Sequence, residues 1–274
     1  MDKIRRNERM SAMMKILSDS PNRNFNLSYF CELFGSAKST MSEDIDLLSQ
    51  VLTTYGMGSL ETVTGAAGGV RYRRVMPRKQ ALAAVEELCG RLSGTERVLP
   101  GGFLYYSDIL SDPQTVKTMG AIFATEYYDA APDFVLTMET KGIPVALATA
   151  DALGVPLVIA RHASKVYEGS AVNINYVSGS SGSIQTMSLS RRAVTPGQRC
   201  LIIDDFLKGG GTAKGMCDLM SEFDVTVVGM AFVMATRIPE KKRVSQARAL
   251  MTLDVCQDDE TATAVVAPAG WLKV

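Results

Sequence analysis

Residues Leu201–Gly215 read LIIDDFLKGGGTAKG. Leu201, Ile202 and Ile203 make an apolar run too short for a helix and closed by a polar turn, the pattern of a buried parallel strand. The run ends in two adjacent carboxylates, Asp204 and Asp205. Phe206 and Lys208 follow, then the glycines Gly209, Gly210 and Gly211, then Thr212, which is placed to open a helix running to about Ser221. A glycine loop entering a helix N-terminus favours a phosphate, because unpaired N–H groups and the helix dipole both point at it. Vicinal acids at a strand end sit where open α/β sheets bind ligands, and they can accept hydrogen bonds from the two neighbouring hydroxyls of a ribose, directly or through Mg²⁺. Acids for a ribose and a loop for a phosphate together describe a ribose 5-phosphate. The plainer alternative is a strand–turn–helix whose acids merely cap it.

Composition narrows the field. The 274 residues are 46% hydrophobic and 21% charged, enough for one large or two modest globular domains. Formal net charge is zero and argues neither for nor against nucleic acid. The five cysteines are odd in number and contain no C-x-x-C pair, so neither a zinc site nor a disulfide framework is indicated and a reducing cytoplasm is the simplest compartment. The polar, basic N-terminus is followed by no apolar signal segment, and no apolar run is long enough to span a membrane. His162 is the single histidine, which argues against His-based catalysis and multi-His metal sites.

The chain opens on a basic segment with Lys3, Arg5, Arg6 and Arg9. Met10, Met13, Met14 and Leu17 recur at helical spacing, and Asp19-Ser20-Pro21 stops that helix. A short helix from about Ser28 to Phe34 breaks at Gly35. A third begins near Ser36 or Ala37, with Met41, Ile45, Leu48 and Leu52 on one face. This is a helix-turn-helix layout, with Lys38, Ser39, Thr40 and Ser42 on the exposed first turns of the reading helix. Strands over Leu60–Val63 and Val70–Val75 flank Gly65-Ala66-Ala67-Gly68-Gly69. With Arg71, Arg73 and Arg74 on the return strand, they predict a wing whose bare tip can approach DNA. A small helical dimerisation module with an incidental hairpin is the alternative, and Glu43, Asp44 and Asp46 favour it.

Met76–Gln80 reads as a linker, dividing the chain into residues 1–75 and 76–274. A helix over about Ala81–Leu92 leads to Leu99-Pro100-Gly101-Gly102 and the aromatic cluster Phe103-Leu104-Tyr105-Tyr106, which suits packing or a pocket wall. A helix is expected over Asp112–Tyr128. Phe134–Met138 is an apolar strand leading through Glu139, Thr140, Lys141 and Gly142 into a helix over Ile143–Leu153, which repeats the strand–loop–helix logic. Strands are expected at Pro156–Ala160, Val225–Met234, Leu250–Leu253 and Ala262–Ala267, and a hairpin over Ser170–Ser190.

The segment Leu201–Gly215 resembles the signature by which type I phosphoribosyltransferases bind 5-phosphoribosyl 1-diphosphate (PRPP). It departs where those enzymes usually carry a small residue and Thr before Gly-Gly. Here those positions are Lys208 and Gly209, which argues against efficient transfer. Joined to the N-terminal pattern, and with SAKSTMSEDIDLL, GAAGGVRY, LPGGF, TKGIP and the hairpin stretch, the whole chain resembles the purine operon repressor family of Gram-positive bacteria. The resemblance implies an α/β chain: a winged helix-turn-helix domain, then a type I phosphoribosyltransferase-like domain with a mainly parallel sheet. It implies a cytoplasmic homodimer that binds double-stranded operator DNA at purine genes, is released by PRPP, needs no obligatory cofactor or metal site, and has no catalytic residues. Mg²⁺ would enter with PRPP, and guanosine tetraphosphate competes for the pocket in some members. On this reading Asp204 and Asp205 hold the ribose, Lys208–Thr212 the 5-phosphate, and Thr140, Lys141 and Gly142 the pyrophosphate. Phe103 walls the pocket beside Phe206, and Lys165 supplies a cation to the hood over it. An active xanthine-type transferase with an N-terminal regulatory or dimerisation module is the alternative.

Overall fold

The computed structural model describes residues 4–65, 68–163, 169–178, 182–257 and 262–273. The chain divides into two compact units, Met1–Pro77 with Asp151–Gly154, and Arg78–Ala150 with Val155–Val274.

In the first unit three helices, α1 (Arg6–Asp19), α2 (Leu27–Phe34) and α3 (Lys38–Tyr55), precede an antiparallel hairpin, β1 (Ser59–Val63) and β2 (Gly69–Arg73). Each boundary has a local cause. The Asn26 side chain accepts from the Ser28 N–H at the start of α2, and Gly35 and Gly56, both left-handed, end α2 and α3. Met41, Ile45, Leu48 and Leu52 face Met13, Leu17 and Phe30 in one apolar core. Burying each such side chain contributes about 1.5–3 kcal/mol. The return strand is shorter than the sequence suggests and ends at Arg73. The chain at Phe25 joins the hairpin as an extra rung, exchanging both backbone bonds with Val70.

The second unit begins with α4 (Arg78–Leu92), so the expected linker is shorter than read and its last residues are helical. A small hairpin, β3 (Val98–Leu99) and β4 (Phe103–Leu104), leads to α5 (Ser107–Ser111) and α6 (Pro113–Tyr127), the latter capped by the Asp112 side chain. Then follow β5 (Phe134–Met138), α7 (Ile143–Leu153), β6 (Leu157–Ala160), β7 (Ala171–Val177), β8 (Ile184–Ser190), β9 (Arg199–Leu207), α8 (Gly211–Ser221), β10 (Thr226–Thr236), β11 (Ala247–Gln257) and β12 (Ala262–Pro268). Six strands form one sheet in the order β12-β11-β10-β9-β5-β6. Every neighbouring pair is parallel except β11–β12. β9 lies inside the sheet, between β10 and β5, and Leu201, Ile202 and Ile203 are fully buried.

The hairpin β7–β8 forms a separate two-stranded sheet. It is more than an exposed flap: Tyr176, Met187 and Leu189 are buried against α8, and Arg161 and Ser188 exchange backbone bonds where the hairpin meets β6. Among the described residues no helix is long and apolar enough to cross a membrane.

Candidate functional site

Two strand–loop–helix turns, β5–α7 and β9–α8, lie side by side because β5 pairs with β9. Their contact is close. A Cβ added at Gly142 would overlap Asp204 Oδ1 and lie 2.6 Å from Thr137 Oγ1, so only glycine lets the first loop approach the acid. Asp204 is 6% exposed. Its Oδ1 accepts the Asp205 N–H at 3.0 Å and faces Thr137 Oγ1 at 3.4 Å. Burial raises its pKa well above the ordinary carboxylate range, and the Asp205 charge raises it further.

Asp205 is less buried, and its Oδ2 accepts a 2.6 Å hydrogen bond from the Tyr106 hydroxyl. Burial first, and then the charge and hydrogen bond of Asp205, hold the Tyr106 phenol far above its usual range, so it stays a donor. The Tyr106 ring stacks on Phe206, with centroids 6.2 Å apart, and the Lys141 ammonium sits 4.8 Å from its centroid.

Downstream, Phe206–Ala213 wrap a cavity of about 140 Å³. Gly210, at φ +79°, caps α8, so the first N–H groups of that helix are free for an anion. The Gly209 carbonyl accepts the Arg243 N–H at 3.0 Å, which fixes the loop from the far side. Beside it opens a cavity of about 840 Å³ whose lining includes Phe103, Tyr106, Lys141, Phe206, Lys208 and Ile238. Thr140, Lys141 and Lys208 are exposed. The structure therefore brings together Phe103, Thr140, Lys141, Gly142, Asp204, Asp205, Phe206 and Lys208–Thr212 in one unit. Lys165 lies outside the described residues. Tyr106 was visible only as part of an aromatic cluster, and Ile238 carries no local signal.

In the first unit Lys38, Ser39 and Ser42 are exposed on the first turns of α3 and Thr40 is half-buried. Arg5 caps α1. Arg6 and Arg9 both bond Asp44, at 2.9 and 2.5 Å, and tie α1 to α3. Asp44 is thus buried structure, not an exposed acid on the reading face. Arg71 and Arg73 both reach Glu61 Oε2, at 2.7 and 2.8 Å, and the Arg71 hydrogen bond is the main cause that lowers the Glu61 pKa. Arg74 follows directly on β2. Gly69 serves the fold: a Cβ there would strike the Phe25 carbonyl oxygen and the Asn24 side chain. Gly68 lies in the hairpin turn, its N–H bonded to the Gly65 carbonyl. Lys3 lies outside the described residues.

Residues 5–74 match the family described as bacterial purine repressor, N-terminal, and residues 106–269 match the phosphoribosyl transferase domain. The purine biosynthesis transcriptional repressor PurR of Bacillus subtilis (strain 168) is 43% identical over 251 residues, 92% of this chain and 88% of the relative. The chain belongs to the PurR family. A second PurR relative, the purine biosynthesis transcriptional activator of Lactococcus lactis, is 38% identical over 92% of this chain and 93% of its own. Xanthine phosphoribosyltransferase of Deinococcus deserti is 34% identical over 53% of this chain and 76% of the enzyme. Adenine phosphoribosyltransferase of Saccharomyces cerevisiae shares the fold at 20% identity and a TM-score of 0.53, covering 61% of this chain and 97% of the enzyme. The PurR chain thus carries a transferase fold behind a purine-repressor N-terminal domain.

Proposed function

We propose that this chain is a DNA-binding transcriptional regulator of purine biosynthesis genes, and that its second unit binds PRPP without turning it over. The observation that carries the reading is the joining, in one chain, of a purine-repressor N-terminal domain to a site with an acid pair and a phosphate loop. Asp204 and Asp205 receive the ribose hydroxyls. The free N–H groups of Lys208–Thr212 receive the 5-phosphate, and Thr140, Lys141 and Gly142 the pyrophosphate. The acids are hard oxygen donors that suit Mg²⁺ carried in by PRPP.

The α3 residues Lys38, Ser39, Thr40 and Ser42 approach base edges and phosphates of operator DNA. The wing residues Gly68, Gly69, Arg71, Arg73 and Arg74, with Lys3, Arg5 and Arg6, contact the backbone. The chain acts in the cytoplasm as a homodimer on inverted repeats. Guanosine tetraphosphate, with its own pair of diphosphates, competes for the pocket. PRPP weakens DNA binding, and linkage then requires DNA to weaken PRPP binding by the same factor.

Fluorescence anisotropy of a labelled purine-gene promoter fragment tests this. Tight binding that PRPP weakens is expected. Equal PRPP affinity with and without the fragment would sink the linkage. Release of pyrophosphate on incubation with PRPP, Mg²⁺ and a purine base would favour a transferase.

A further inference from the structure

Tyr106 touches both halves of the proposed ligand grip. It stands at the N-cap position of α5, just past the β3–β4 hairpin, and is 8% exposed. Its hydroxyl occupies Asp205 Oδ2, and its ring face carries the Lys141 ammonium. Those are the groups assigned to a ribose hydroxyl and to the pyrophosphate. Each contact imitates the ligand's chemistry: an O–H donor on the carboxylate, and an electron-rich face under the cation. Phe206 stacks on the same ring, with centroids 6.2 Å apart.

We propose that Tyr106 is the affinity-setting residue of this pocket, a built-in stand-in for the ligand that PRPP must displace from Asp205 and Lys141. The inference rests on the PRPP reading of the site and adds to it a competitor supplied by the chain itself. A carboxylate oxygen that accepts from Tyr106 is not free for a ribose hydroxyl in the same direction. An ammonium parked over the ring must leave it to reach a phosphate. When the binding-competent arrangement is a minor fraction, apparent affinity falls by that fraction. A contact closed in about nine molecules of ten therefore weakens binding about tenfold. Such a residue sets the concentration at which the regulator responds without touching DNA.

The two contacts can be separated. Tyr106→Phe removes the hydroxyl and keeps the ring, while Tyr106→Leu removes both. Titration calorimetry of the full chain with ribose 5-phosphate, pyrophosphate and PRPP reads each contact. Tyr106→Phe should tighten ribose 5-phosphate about tenfold and leave pyrophosphate unchanged. Tyr106→Leu should tighten both. Unchanged or weaker ribose 5-phosphate binding by Tyr106→Phe, in a chain whose wild type binds PRPP, overturns the inference and leaves the pocket reading standing. An equal change in ribose 5-phosphate and pyrophosphate by Tyr106→Phe would make Tyr106 a packing residue and also overturn it. A wild type that binds none of the three ligands overturns the pocket reading, and the inference with it. Tyr106→Phe carries the test by itself where Tyr106→Leu fails to fold.

Discussion

Two aspartates in this molecule are almost equally hidden from water, and they live differently. Asp44, fully buried in the first unit, is gripped by two guanidiniums. Asp204, 6% exposed in the second, has a backbone N–H and a threonine hydroxyl beside it and another carboxylate next door. Removing a charge from water is expensive unless a partner compensates. Asp44 has its compensation inside the chain and is structural. Among the described residues no cation pairs with Asp204, and it lies against the Gly142 loop. An uncompensated buried acid at a strand end is a place where a ligand can complete the electrostatics.

The sharpest way to break this comparison is Asp44→Ala. It leaves the buried Arg9 guanidinium with the Ile4 carbonyl but no carboxylate, and loss of one partner from a buried pair destabilises by about 3–5 kcal/mol. Thermal or urea unfolding of the first unit should show that loss. A change within about 0.5 kcal/mol would mean that Asp44 holds nothing together.

Next in size is Gly142→Ala. The added methyl overlaps Asp204 Oδ1 and must push the loop or the acid aside, at about 1–3 kcal/mol for overpacking. Calorimetry should show PRPP binding weakened by at least an order of magnitude, and the chain should stay folded. Undiminished PRPP binding would separate the loop from the acid and dissolve the site.

The smallest effect has the opposite sign. Asp204→Asn should stabilise the protein without PRPP by roughly 1 kcal/mol near neutral pH, while PRPP binding is lost. The sign follows from the raised pKa of Asp204. The fold favours its protonated form, so its contribution is fully present below the ordinary carboxylate pKa and is lost as pH rises through the folded value. Urea unfolding from about pH 4 upward should show a decline in the wild type that Asp204→Asn lacks. A stabilising effect from Asp44→Asn as well would erase the distinction.

What could be read from the chain follows distance along it. The β9–α8 turn is local: fifteen consecutive residues contain the strand, the acids, the glycines and the helix start, so periodicity and turn chemistry suffice. The same holds for α3, whose apolar stripe and glycine stop are contiguous. Tyr106 and Asp205 are 99 residues apart, and Arg9 and Asp44 are 35 apart. No spacing rule joins them; only the packed fold does. The reason for Gly69 was likewise tertiary. Read as an unobstructed wing tip, it is glycine because the chain at Phe25 lies against it. β11 also runs well beyond the apolar run Leu250–Leu253, since β10 pairs with it from Ala247 and β12 pairs with it on to Gln257.

The contact between Gly142 and Asp204 also constrains how such a protein can change. Lys208 is exposed and can be exchanged without disturbing a neighbour's backbone, so a transferase-like site can lose its chemistry there in single steps. Gly142 and Asp204 share one volume. A larger residue at the first evicts the second, and moving the second strands the first. The two grips are therefore a single heritable part: a descendant can retire the reaction piecemeal, but it must keep or surrender the ligand all at once.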